Sequence, residues 1–303
     1  MLRAWFERFP HGWWGYHWSA PQPMSIVEIV RSGSLDARLA ATLWAVMARR
    51  GSVMLAAEAP MAGKTTTLSA LVDLLPAGTV GVFLRGWAED FGWVGRYGPD
   101  RTYLLVNEMS DHLPIYLWGR PARRALGLVA RGYGMGATMH ADSVAEAVAV
   151  FRDELRATDR EIAALDVYLQ FSAYRTPNGM YRRLEEAWYL RTDARGGLDP
   201  VRLSWLDAPR SPSLTGAQRL PGPPMLASDG GRSTRPVVHD DDAHACLAGR
   251  FGTSAESWAD DVASRQRFLE ELGRRGVCDV VSVALAVQDY PELPAQPRGA
   301  SIE

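Results

Sequence analysis

Lysine is almost missing from this chain: of its 33 basic residues, 32 are arginine and one, Lys64, is lysine. A sequence that takes arginine wherever a general cation serves, yet keeps one ammonium, marks that position as special. An ammonium is a compact charge on a flexible stem, whereas a guanidinium is a wide planar fork that does not fit beneath a tightly wrapped loop. Cysteine is scarce too. Cys246 and Cys278 are too few and too far apart for a metal knuckle or a disulfide framework, and they read as incidental thiols. No uncharged apolar run reaches the roughly 18 residues of a membrane span. Residues 1–10 hold no apolar segment of the signal-peptide kind, so a cytoplasmic location is expected. Positive charge is not in excess either. A formal net charge of -2 and a pI near 6.3 give no electrostatic case for a nucleic-acid partner.

What the chain does have is apolar material, 47% of 303 residues, enough for one sizeable α/β core with a small second module. Residues 1–24 form an aromatic-rich extension, with Trp5, Phe6, Phe9, Trp13, Trp14, Tyr16 and Trp18 in quick succession and no steady period. Rings of this size are expected to pack onto the core rather than sit in water. Across 25–50 apolar residues recur at helical spacing, broken at Gly33, which predicts two helices.

A strand and helix alternation then runs through 25–208. Strands are predicted at 52–57, 79–84, 102–107 and 136–140, with helices at 65–75, 120–131 and 143–158. This order calls for a mostly parallel sheet covered by helices on both faces. Strands at 167–171, 184–191 and 201–205 follow, the last two joined by a turn at 194–200 and so forming an antiparallel edge. Residues 209–242 are rich in Pro, Gly, Ser and Asp without periodicity and read as a disordered linker. Residues 243–303 read as a small helical C-terminal module with an apolar stripe of Trp258, Val262, Phe268, Leu269 and Leu272. The His239-Asp-Asp-Asp-Ala-His244 run reads as solvated linker capping the next helix rather than as a metal site.

The chemistry concentrates at the first strand of the alternation. It runs into Glu58-Ala-Pro-Met-Ala-Gly63-Lys64-Thr65-Thr66, which fits G-x-x-x-x-G-K-[ST] at every fixed position but the first, where Glu58 stands. A loop between strand and helix aims backbone N–H groups into a nest, and the helix start adds donors and a positive dipole. Pro60, Met61, Ala62, Gly63 and Thr66 would line this phosphate cradle. Lys64 would reach the β and γ phosphates of ATP, and the Thr65 hydroxyl would ligate Mg2+. The predicted strand 102–107 delivers Glu108 at its end, where a carboxylate can orient water. Glu89-Asp90 follows the preceding strand, and His140 ends the strand 136–140, a place where ligands of open α/β sheets sit.

Taken in order, Gly63-Lys64-Thr65-Thr66-Thr67-Leu68, Glu89-Asp90, Val106-Asn107-Glu108 and Thr138-Met139-His140-Ala141-Asp142-Ser143 resemble the four landmarks of the motor ATPases of type II and type IV secretion, pilus and archaeal flagellum systems: Walker A, Asp box, Walker B and His box. The resemblance spans 25–191 and, faintly, 268–290. It implies a RecA-like core that works as a hexameric homo-oligomer on membrane-bound secretion or pilus machinery, at the inner face of the membrane through a partner. It also implies that Glu89 and Glu108 polarise or position the attacking water and that His140 contacts nucleotide or couples its state to the ring. Three features depart from the pattern. Fifty-seven residues precede Glu58, too few for the N-terminal domain that such motors use to clamp nucleotide. Asn107 stands where Gly precedes the acid, and Met109-Ser110-Asp111 follows where an Arg belongs. The competing expectation is therefore a degenerate nucleotide-binding module that regulates or docks on a partner with little hydrolysis. A small-molecule P-loop kinase is a third, without an Arg-rich lid motif to support it.

Overall fold

The computed structural model describes residues 4–8, 23–176, 179–207 and 236–291. Nine strands among them form one sheet: β1 (Ala4–Arg8), β2 (Val53–Ala56), β3 (Thr79–Phe83), β4 (Thr102–Val106), β5 (Gly134–Met139), β6 (Val167–Thr176), β7 (Gly179–Tyr189), β8 (Val201–Leu206) and β9 (Val237–His239). Their order in space is β1-β3-β4-β5-β2-β6-β7-β8-β9. Neighbours from β1 through β6 run parallel, and the pairs from β6 to β9 run antiparallel. The helices are α1 (Ile26–Arg31), α2 (Ala37–Ala48), α3 (Lys64–Val72), α4 (Gly119–Val129), α5 (Val144–Ala149), α6 (Asp159–Ala163), α7 (Asp241–Arg250), α8 (Ala255–Arg274) and α9 (Val280–Gln288). The protein is an α/β fold with a mostly parallel sheet and antiparallel strands at one side.

Side-chain alternation along the central strands sorts the helices into two layers. Val53 and Leu55 of β2, Phe83 of β3 and Tyr103 and Leu105 of β4 share a core with α1, α2, α3, α7, α8 and α9. Met54, Ala56, Val82, Leu104 and Val106 face the other way, onto α4, α5 and α6. Both faces are covered, which is why these strands read as unbroken apolar runs instead of alternating ones. Helix α3 can lie close on the sheet because β5 is glycine-rich: a Cβ at Gly136 would stand 2.6 Å from Leu68 Cδ1.

Several boundaries move from their predicted places. Residues 4–8 of the aromatic extension form β1, parallel to β3; the rings of Phe9, Trp13, Trp14, Tyr16 and Trp18 lie outside the described residues. The helix predicted over 143–158 divides. Its α5 turn widens into a π-helical turn at Val150–Glu154, and a new helix, α6, starts behind Thr158, whose hydroxyl and Glu161 form a capping box. The strands predicted at 167–171 and 184–191 are longer and pair as a hairpin, for which Pro177-Asn178-Gly179 is the turn signal in the sequence. Residues 237–242, placed by composition in the linker, form β9 and the first turn of α7. His239 and His244 are not solvated: the His239 Nε2 lies 3.1 Å from Asp36 Oδ1, and His244 is 4% exposed. Asp240 caps α7 as read. Residues 209–235 lie outside the described residues.

The C-terminal helices join the same core. Helix α8 packs along α2, and the Trp44 ring of α2 meets Tyr290 at 4.8 Å and Phe268 at 5.8 Å. Arg265 stands over Trp44 at 4.6 Å and donates to Asp261, which also binds Arg49 at 3.1 Å. A second anchor joins α7 to the amino end of the sheet. Asp166, fully buried, accepts from the Ser52 amide at 2.8 Å and from Arg250 Nε at 2.7 Å. Removing one member of a buried pair leaves the other charge uncompensated, at about 3–5 kcal/mol. Asp166→Asn keeps a side chain that tolerates the left-handed backbone at this position (φ 52) while deleting the charge. It is expected to lower stability by about 3 kcal/mol in a urea unfolding curve. An unchanged midpoint would show that α7 is held by its apolar contacts alone.

Candidate functional site

Parallel strands bring their carboxyl ends to one edge of the sheet, and the sequence motifs gather there. The loop between β2 and α3 is closed by two left-handed residues, Met61 (φ 60) and Gly63 (φ 93, ψ 3), the latter serving as the N-cap of α3. Gly63 supplies no side-chain cap, and among the described residues no side chain bonds the first N–H groups of α3, which suits the start of this helix to an anion. Ala62 is buried, Pro60 and Met61 are exposed, and Thr65 and Thr66 are half-buried. Glu58 does not have a positive φ, so the position that often demands glycine takes a side chain here without strain.

Lys64 opens α3 and is 7% exposed. Its Nζ donates to the Ala57 carbonyl at 3.0 Å, tying the helix start to the strand end. Burial pushes its pKa down to about 8, while the charges of Glu108 and Glu58 hold it up against a larger fall. The amine is thus partly starved of counter-charge, a state that a bound phosphate would relieve.

Glu108 lies just past β4 and His140 just past β5. The His140 Nδ1–H donates to the Glu58 carbonyl at 2.9 Å, and its Nε2 stands 3.5 Å from Glu108 Oε2, an ion pair when the imidazole is protonated. Three strand ends are thereby connected. Burial alone would raise the Glu108 pKa, but the His140 contact and charge, the Ser110 hydroxyl at 2.9 Å and the Lys64 charge together bring it below its ordinary value. The Glu108 contact raises the pKa of His140 against burial and the Lys64 charge. The signs set a window. The His140 contribution to stability is complete below its unfolded pKa and fades as pH rises through the folded one; that of Glu108 is present above its unfolded pKa and fades as pH falls through the folded one. The pair is therefore strongest between the two.

Two residues that the motifs did not flag complete this corner. Ser110 bonds Glu108, and burial with the Glu108 charge pushes up the pKa of the Tyr116 phenol. The chain returns there because the Leu117 amide donates to the Glu108 carbonyl at 2.8 Å. Asn107, 5% exposed, has a buried amide nitrogen with no partner among the described residues. It belongs to the face of β4 that carries Tyr103 and Leu105, the α3 side.

Glu89 is placed differently. Its Oε2 accepts from the Arg85 amide at 3.0 Å, and its Oε1 accepts from the Phe91 amide at 2.7 Å and from Trp93 Nε1 at 3.3 Å. These bonds shape the turn after β3, including left-handed Phe91 (φ 58). Asp90 pairs with Arg85 at 3.0 Å. From the far side of β2, Arg182 of β7 reaches across the loop: its Nε–H donates to the Met61 carbonyl at 2.6 Å. Among the described residues there is no cluster of three or more metal-ligating side chains and no helix long and apolar enough to cross a membrane.

Comparison with known proteins gives little. No family model matches the chain, and no curated protein matches it. Among solved structures, the crystal structure of the VirB11 ATPase from the Brucella suis type IV secretion system, in complex with sulphate, is similar at 17% identity and a TM-score of 0.36. The likeness covers 54% of this chain and 54% of that one, so the chain spans about half the length of the protein it resembles.

Proposed function

We propose that this chain binds ATP with magnesium and hydrolyses it, as a compact and divergent relative of the secretion and pilus motor ATPases. One observation carries the reading: the chain's only lysine, at an uncapped helix start, shares a corner with a carboxylate and an imidazole delivered by two other parallel strands. The residues suit a triphosphate. The open N–H groups at the start of α3 and the loop 60–63 would hold phosphate oxygens, and Lys64 would leave the Ala57 carbonyl to meet the β and γ phosphates. Thr65, with Glu108 through the ion's water shell, would hold magnesium, whose charge offsets that developing on the phosphates.

Glu108 would orient a water for in-line attack on the γ phosphorus. The new bond is from water oxygen to phosphorus, the broken bond is to the β–γ bridging oxygen, and ADP and phosphate leave. His140 keeps Glu108 ionised and, through the Glu58 carbonyl, ties that carboxylate to the phosphate loop. Glu89 would act at one remove by holding the turn after β3. Assembly of a 25–208 core into a homo-oligomer, hexameric as in the motors, and attachment to membrane-bound secretion or pilus machinery belong to the same proposal.

A nucleotide-holding docking module without turnover is the second reading, favoured by Asn107 and Ser110 around the acid. Titration of purified protein with magnesium ATP, with phosphate release followed on size-separated fractions, divides the readings. Binding with steady release supports the motor ATPase; a raised melting temperature with no release supports the docking module. A folded sample that ATP neither binds nor stabilises would end both.

A further inference from the structure

Arg182 is far from Lys64 in sequence, on the antiparallel hairpin, yet its side chain lies over the phosphate loop. Besides the 2.6 Å bond to the Met61 carbonyl, its Cδ lies 3.5 Å and its Cβ 4.0 Å from where a Cβ on Gly63 would stand. The backbone behind it is fixed, since the Ser34 hydroxyl donates to the Arg182 carbonyl at 3.0 Å. No carboxylate among the described residues pairs with this guanidinium. Among the described residues one of its five N–H donors is used, on a neutral carbonyl, and the rest can turn toward an anion.

We propose that Arg182 is a phosphate ligand supplied from within the same chain, exchanging the Met61 carbonyl for the terminal phosphate of a bound nucleoside triphosphate. The inference rests on the nucleotide reading above. The exchange is downhill on general grounds: a guanidinium on phosphate makes paired, charge-assisted bonds, roughly twice as strong as those between neutral groups. It also frees the loop crest at Met61 to close on the ligand, so that the hairpin reports whether the terminal phosphate is present. A cation of this kind gives the site, within one chain, the charge neutralisation that phosphoryl transfer needs at the terminal phosphate.

The alternative is a brace that only pins the left-handed backbone at Met61. Calorimetric titration of the full chain with a magnesium complex of a non-hydrolysable triphosphate analogue and, separately, magnesium ADP distinguishes the two. Arg182→Ala is expected to weaken the analogue by about tenfold or more, as the loss of one charge-assisted phosphate contact does, and to leave ADP within about twofold. Arg182→Gln, which keeps a neutral donor for the Met61 carbonyl, should behave like Arg182→Ala, and Arg182→Lys should recover part of the loss. Parallel weakening of both nucleotides, rescue by Arg182→Gln, or no change in either overturns the proposal and leaves the nucleotide site standing. Failure of the unmodified protein to bind either nucleotide overturns the site and this inference together.

Discussion

Lys64→Ala is expected to lower affinity for magnesium ATP by on the order of 100-fold, the usual cost of deleting a preorganised electrostatic donor, and to abolish phosphate release. Lys64→Arg should fare little better. The ammonium reaches back to Ala57 at 3.0 Å from a site 7% exposed, and a planar guanidinium has neither the shape nor the room for that position. The pH dependence follows from its pKa near 8. In the free protein the amine loses its proton as pH rises through about 8, so ATP affinity should fall there, and binding below that pH should keep the proton bound. Stability of the free protein runs the other way. Between about 8 and the ordinary value of 10.5 the unfolded chain binds the extra proton, so unfolding becomes less favourable as pH rises. Titration calorimetry at several pH values reads the first effect and denaturant curves read the second. Tight ATP binding by Lys64→Ala would remove the basis of the site.

Glu108→Gln separates binding from turnover. The amide keeps the size of the side chain and its bond to Ser110 but cannot hold His140 as an ion pair or draw a proton from water. Phosphate release is expected to fall on the order of 100-fold to 1000-fold, within the range for a positioned acid–base group, with a much smaller loss of magnesium ATP affinity from the lost charge beside the ion and Lys64. His140→Ala tests the same corner from the other side. Without the imidazole, burial acts on Glu108 with less opposition, so its pKa rises and the acid limb of the rate profile moves to higher pH. An acid limb that stays in place would mean that the 3.5 Å pair does not govern the reaction. Normal turnover in Glu108→Gln would move the chemistry to another group.

How much of this was legible in the residues depended on how rare each signal was. Lys64 stood out because nothing else in the chain is lysine, and the strand and helix around it obey strong local rules. Arg182 was invisible for the same compositional reason: it is one of 32 arginines, and its position over the loop comes from the pairing of β6 with β7, a tertiary fact. Glu108 and His140 were found through strand ends, since parallel strands deliver their terminal residues to a common edge. Ser110 bonds Glu108 from two residues along the chain, and Tyr116 comes under its charge where a loop folds back at Leu117, which no periodicity announces. Glu89 was read by position too, and its carboxylate accepts from the Arg85 and Phe91 amides and the Trp93 indole, contacts that position alone does not announce. The short strand at 237–239 was hidden for another reason: three residues beside a Pro- and Gly-rich stretch acquire strand character only when β8 offers an edge.

The packing of α8 on α2 sets an order of events at synthesis. Trp44 emerges more than 200 residues before the Phe268 and Tyr290 rings that enclose it. Until then the outer side of α2 stays uncovered while the chain lengthens, and closing so long a loop is slow. The cover of α2 is therefore among the last parts of this core to form, and the apolar side of that helix is the surface a folding intermediate leaves bare.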